Sequence, residues 1–296
     1  MGSKVILGDA YDTLATLESS SIDTLISDIP YGVSINPTWD KHLPSEEVWC
    51  ECYRVLKPGS HCLLFGQPSM TDNLMTVMNN TDFEYKDMWI WKYQGTHTKG
   101  MKVKEGDLMY RSRIRNVFNP VYVFRKELEG NERDNWARYR TNLLNIDSVR
   151  EPYEGNHSGI IKKFKETGKK HVQSSNPSNT FKNLKQKGWV ADPRGREPVN
   201  IQYFARATKK ERTINGLVDN KHETVKPISL MLWLIKLTTN NVNQVVLDPF
   251  CGSGSTGCAC RLLNRNFIGI DNDLNSVYVS LERIDNIQTI AGMFKI

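Results

Sequence analysis

Asp28-Ile29-Pro30-Tyr31 puts a carboxylate, a peptide carbonyl and an aromatic ring side by side. The carboxylate and the carbonyl can each accept an N–H, and the ring can stack on a flat partner. Near the other end of the chain, residues 248–257 read Asp-Pro-Phe-Cys-Gly-Ser-Gly-Ser-Thr-Gly. Gly252 and Gly254 allow a tight turn and a close backbone approach by a ligand, and a helix starting there offers free N–H groups to an anion. Asp271, 19 residues past Gly252, can accept two hydrogen bonds from a ribose diol. Gly252 to Gly257 also fits the dinucleotide fingerprint, so a nicotinamide enzyme competes. Two features count against it. Only 39 residues follow Gly257, too few for the rest of a dinucleotide fold in its usual order. Asp-Pro-Phe also stands where such sites pass straight from apolar strand to glycine.

The elements that must hold these residues follow from periodicity. Apolar runs predict strands at 4–9, 22–28, 61–66, 85–92, 120–124, 244–248 and 266–271. Helical spacing is read at 10–20, 45–56, 68–79, 227–238, 254–263 and 274–286, with Lys57-Pro58-Gly59 stopping the second and Pro227 starting the fourth. Residues 95–116 read as a long basic loop. Strands alternating with helices at both chain ends imply a parallel α/β sheet. Between about 126 and 205 the pattern decays into Asn, Ser, Lys, Gly and Pro with scattered aromatics, which predicts an insert. The expected division is therefore 1–125, 126–205 and 206–296.

Composition bounds the rest. The chain has 296 residues, 39% hydrophobic, with no apolar run of about 18 and no secretory-type leader, so a soluble cytoplasmic protein without membrane contact is expected. Six cysteines, none in Cys-x-x-Cys spacing, read as buried apolar residues, and no metal is expected. The net charge is +6, unevenly placed: residues 95–212 hold 26 Lys+Arg against 13 Asp+Glu, and the remainder is net acidic. A basic middle in an acidic frame suits a polyanion, and nucleic acid is the favoured partner.

Taken together, these residues resemble the β class of amino-group DNA methyltransferases. Phe250-x-Gly252-x-Gly254 matches that family's S-adenosylmethionine motif. Asp28-Ile29-Pro30-Tyr31 matches its catalytic motif, usually Asp/Asn/Ser-Pro-Pro-Tyr/Phe/Trp, with Ile29 as the departure. Gly8-Asp9 and His222-Glu-Thr224-Val-Lys226-Pro227 match further stretches, and the catalytic motif precedes the cofactor motif, as in the β class. The resemblance covers roughly 1–125 and 205–287.

It implies an α/β, permuted Rossmann-like methyltransferase fold: a mostly parallel seven-stranded sheet with helices on both faces, plus an inserted target-recognition region. The strands at 244–248 and 22–28 would then be neighbours, and the strand at 4–9 would lie beside that at 266–271. The implied catalytic set is Asp28, Ile29 (through its carbonyl), Pro30 and Tyr31. The implied cofactor set is Asp9, Ala10, His222, Thr224, Lys226, Asp248, Phe250, Gly252, Gly254, Ser255, Thr256 and Asp271, with Thr224 and Lys226 near the methionine carboxylate. Lys99, Lys102, Lys104, Arg111, Arg113 and Arg115 would face the phosphates of double-stranded DNA. The implied reaction is methyl transfer to the N6 amine of adenine in a flipped-out base. N4-cytosine is the alternative, Ser being more usual there at the first motif position. RNA or protein methylation usually goes with the opposite motif order. A DNA-binding protein with an inactive methyltransferase fold is the rival from another class, against which the intact Asp28, Tyr31, Phe250 and Asp271 argue. A bacterial or phage origin, a homodimer and a cognate restriction endonuclease go with the family.

Overall fold

The computed structural model describes residues 2–31, 43–95, 100–152, 192, 194–222 and 224–296. Ten strands are present among them: β1 (Ser3–Leu7), β2 (Ile22–Asp28), β3 (Leu56–Phe65), β4 (Glu84–Lys92), β5 (Lys102–Glu105), β6 (Leu108–Arg111), β7 (Phe118–Arg125), β8 (Ile201–Tyr203), β9 (Val245–Asp248) and β10 (Asn266–Asp271). Eight form one sheet in the order β1-β10-β9-β2-β3-β7-β4-β8. The first five are mutually parallel, and β7 is antiparallel to both β3 and β4. The expected seven strands are all there, and β8 adds a short eighth beside β4.

Parallel strands buried on both faces need continuous apolar runs. In β2 every residue is buried except Asp28, at its exit. Both chain ends meet in this half of the sheet. Val246 and Leu247 stand opposite Thr24 and Leu25, and Leu7 stands opposite Asp271. Trp49, Leu25, Leu64, Tyr122 and Phe124 anchor a core that also takes in Ile29, Leu247 and Ile270.

Two expectations are corrected. First, Lys57-Pro58-Gly59 ends the helix Glu46–Val55 but lies inside β3, which starts at Leu56 rather than His61. A proline pushes the residue before it into extended backbone, so the helix stop becomes the strand start. Second, the 95–116 loop contains an antiparallel hairpin, β5 with β6. The chain clusters into two compact units, Met1–Asn145 with Asn200–Ile296, and Ile146–Val199 by itself. Residues before 146 join the larger unit through polar anchors without apolar period. Asn131 caps the helix Glu132–Tyr139, and fully buried Asn135 donates to the Pro58 carbonyl at 3.2 Å and to Asn142 Oδ1 at 3.1 Å. In the smaller unit the described residues include the 3-10 turn Ile146–Val149 and a Glu151–Arg196 bridge. Among the described residues no helix is long and apolar enough to cross a membrane.

Candidate active site

Strands β2, β9 and β10 all run out at the same edge, each on an aspartate: Asp28, Asp248 and Asp271. In an open α/β sheet this edge is where ligands bind. Here it opens into a cavity of about 520 Å3 lined from both motifs, within the usual small-molecule range of about 300–1,000 Å3.

On the β2 side, the Tyr31 hydroxyl donates to Asp28 Oδ1, and the Lys226 ammonium donates to Asp28 Oδ2. The Ile29 side chain is 2% exposed and packs in the core, so what the residue offers the cavity is backbone. Pro30 follows on the cavity wall.

On the β9 side, Gly252 (φ +49°) and Gly254 (φ +76°) carry the turn into the helix Ser255–Leu262. A Cβ on Gly254 would run into the Ser280 hydroxyl and lie 3.0 Å from Ser280 Cα. Left-handed backbone alone costs a side-chain-bearing residue about 1–2 kcal/mol. Gly254→Ala is therefore expected to lose at least that much stability in denaturant titration and to weaken the ligand held by the turn.

Asp248 sits under this turn, 3% exposed. It accepts from Ser27 Oγ (2.7 Å), from the Phe250 N–H (3.2 Å) and from Thr256 Oγ (2.6 Å). Burial pushes its carboxyl up to about 6. Asp271 accepts the Gly252 N–H at 2.8 Å on Oδ2 and the Asp273 N–H at 3.0 Å on Oδ1, and burial raises its carboxyl too. Each oxygen keeps a lone pair for a diol. Phe250 is tilted against Trp49 at 6.4 Å between centroids.

The remaining sequence candidates separate. The His222 ring lies beside Gly252, 3.5 Å from where a Cβ would stand, and 3.3 Å from Ser276 Oγ. Burial lowers its pKa. Thr224 and Ala10 line the cavity. Asp9 caps the helix Ala10–Ala15 through Oδ1, accepting from the N–H groups of Tyr11 and Asp12 at 2.8 and 3.3 Å, and so also has a structural task. Ser255 Oγ meets Arg283 rather than the cavity alone, at 3.4 Å. Lys226 also lines the cavity, with its ammonium on Asp28.

The N6/N4 DNA methylase family matches residues 22–282. The chain belongs to that family. M.HpaI, a Type II methyltransferase of Haemophilus parainfluenzae, is 26% identical over 97% of this chain and 75% of its own. The DNA adenine methyltransferase YhdJ of Escherichia coli K12 is 24% identical over 95% of this chain and 82% of its own. Among solved structures, the cytosine-N4-specific PvuII DNA methyltransferase aligns with a TM-score of 0.59 at 14% identity, covering 99% of this chain and 92% of its own. A Thermus thermophilus protein complexed with S-adenosyl-L-methionine aligns at 0.54 with 16% identity, covering 96% and 95%. The methylase thus uses S-adenosylmethionine, and its cavity suits that molecule: a turn open at Gly252, a carboxylate at Asp271 and an aromatic wall at Phe250.

Two residues that support the methylase site have no sequence signature. Ser27, in the buried run of β2, ties the catalytic strand to Asp248. Arg283 is fully buried behind the glycine turn, and its Nη1 donates to the Ser253 carbonyl and to Ser253 Oγ at 3.1 Å. An arginine in an amphipathic helix reads as a surface charge, so only packing shows its task.

The β5–β6 hairpin carries three of the six expected DNA-facing cations. Cross-strand pairing sets Lys102 opposite Arg111 and Lys104 opposite Met109, on one face. Val103 opposite Tyr110 and Glu105 opposite Leu108 form the other. Arg113 and Arg115 follow the hairpin and are exposed; Lys99 lies outside the described residues.

Proposed function

We propose that the methylase transfers a methyl group from S-adenosylmethionine to the N6 amine of adenine in duplex DNA at a defined site. The observation that carries this is the convergence of the Asp28–Tyr31 motif and the Gly252–Asp271 turn on one cavity.

When bound, the cofactor supplies an electrophilic methyl on sulfonium sulfur, which leaves with the C–S electron pair. The target nitrogen is a poor nucleophile, because its lone pair is spread into the ring. Asp28 accepts one amine N–H and the Ile29 carbonyl the other, which localises the lone pair and stabilises the positive charge that develops before the nitrogen sheds a proton. A proline is not needed at position 29, since the core-packed isoleucine side chain holds that carbonyl from behind while Pro30 stiffens the exit. Tyr31 stacks on the flipped base. Asp271 takes the ribose hydroxyls, and the turn at Gly252 and Gly254 lets the backbone approach the cofactor.

Asp28 as first residue of the motif, and the adenine activity in the name of YhdJ, support adenine over cytosine. Labelled methyl transfer to duplex DNA, RNA and protein, followed by nucleoside mass analysis, tests the reading. N6-methyladenine supports it, N4-methylcytosine replaces the base assignment, and no transfer to any substrate leaves a DNA-binding protein.

The cationic hairpin face supplies phosphate contacts. Replacing Lys102, Lys104 and Arg111 with glutamine should weaken binding to all sequences alike and flatten the log K against log salt slope by about 0.9 for each phosphate no longer neutralised. An unchanged slope removes the hairpin from the DNA interface.

A further inference from the structure

We propose that Lys226 is a positioning residue of the amine clamp. Its ammonium keeps Asp28 Oδ2 throughout the cycle, while Oδ1 accepts from the incoming amine. The proposal rests on the methyl-transfer reading above.

Each oxygen of the Asp28 carboxylate accepts one donor and keeps a second lone pair. Lys226 Nζ donates to Oδ2 and Tyr31 Oη to Oδ1. Of the two donors, Lys226 is the harder to move. Its side chain is 7% exposed, against 23% for Asp28. The ammonium lies 5.3 Å from the Phe65 ring centroid and 5.9 Å from that of Tyr31. Phe65 stands opposite Asp28 in the β2–β3 register, so the cation is caged over the ends of those two strands. Its backbone is fixed as well. Pro227 opens the helix Ile228–Thr238, where Ile228, Leu230 and Met231 are buried and the Ile228 N–H donates to buried Glu211 at 2.5 Å.

Pulling a buried ammonium off its counter-ion leaves an unpaired charge, which is far more costly than giving up one neutral hydroxyl hydrogen bond. Lys226 therefore fixes the carboxylate plane through Oδ2 and leaves Oδ1 to the amine. His222, four residues earlier, is at the glycine turn instead, so the 222–226 stretch serves both halves of the site with different side chains.

The rival role, binding the cofactor's carboxylate, separates cleanly by kinetics. The experiment compares the full chain with Lys226→Met and Lys226→Arg, reading kcat at saturating DNA and cofactor, and cofactor Kd by calorimetry. Lys226→Met should lower kcat by about 100-fold with cofactor Kd changed by less than about 3-fold, since only an interaction exerted at the reacting amine is lost. Lys226→Arg should restore kcat to within about 10-fold of wild type. A cofactor Kd raised tenfold or more with kcat kept at saturation overturns the proposal. Should Lys226→Met fail to fold by circular dichroism, Lys226→Arg decides: full kcat with weakened cofactor binding overturns the proposal, and reduced kcat with unchanged Kd upholds it. Wild-type protein that transfers no methyl overturns both this proposal and the functional reading, whereas active wild type with kcat intact in Lys226→Met overturns this proposal alone.

Discussion

Asp28→Ala should reduce turnover by roughly 10^3-fold, equivalent to about 4 kcal/mol of barrier. In the proposed mechanism the carboxylate is the anionic acceptor for the amine, and neither the Ile29 carbonyl nor the Tyr31 ring replaces its charge. The substitution also leaves the buried Lys226 ammonium without its counter-ion, so a lowered melting temperature is expected alongside. Cofactor binding separates the two effects. The turn at Gly252 and Asp271 is untouched, so a folded Asp28→Ala protein should still bind S-adenosylmethionine while failing to transfer its methyl. Single-turnover transfer to duplex DNA is the measurement. Turnover within about tenfold of wild type would sink the catalytic assignment.

Asp248 is expected to give the largest stability effect. Its carboxylate receives three donors, from Ser27, Phe250 and Thr256, and so stitches the catalytic strand to the cofactor turn. Asp248→Ala strands all three in a buried place, at a cost of about 2–5 kcal/mol in unfolding free energy, with cofactor affinity falling as the turn loosens. Asp248→Asn tests the electrostatics. Burial raises the folded carboxyl from its ordinary 3.8 to about 6, so between those pH values the folded protein holds a proton that the unfolded chain has released. Asp248 thus stabilises most below about pH 4, and that contribution drains away as pH rises to about 6, by roughly 3 kcal/mol. An asparagine does not titrate. Measured by denaturant unfolding, the stability of Asp248→Asn relative to wild type should therefore climb by about that amount between pH 4 and 7. A flat difference would mean that Asp248 titrates alike in both states.

The sheet was legible because its strands are buried runs of Val, Ile and Leu, whose signal is local and continuous. Even the pairing of β9 with β2, from opposite chain ends, followed once motif order was recognised. The stretch around residues 126–145 was not legible, because Asn135, Thr141 and Asn142 tie it to Pro58 through polar bonds that leave no period in the sequence. The hairpin at β5 and β6 was hidden for a related reason: every one of its residues is exposed, so no buried face imprints alternation strongly enough to stand out among the charges.

By itself, the sequence determined which chemical groups the site contains. Asp28, Tyr31, Gly252 and Asp271 each belong to a short motif at a strand exit, where backbone direction follows from a few neighbouring residues. It also determined that two glycines must bend the turn, because side chains resist positive φ. Only the tertiary structure decided who partners whom. Lys226 and His222 are four residues apart in one motif, yet one pairs with Asp28 and the other sits on Gly252. Asp28 is 198 residues from the lysine that holds it, and Ser27 is 221 from the aspartate that it binds. Such contacts arise from sheet register and helix placement, which are settled by burial over the whole chain, so no local pattern of residue types can specify them.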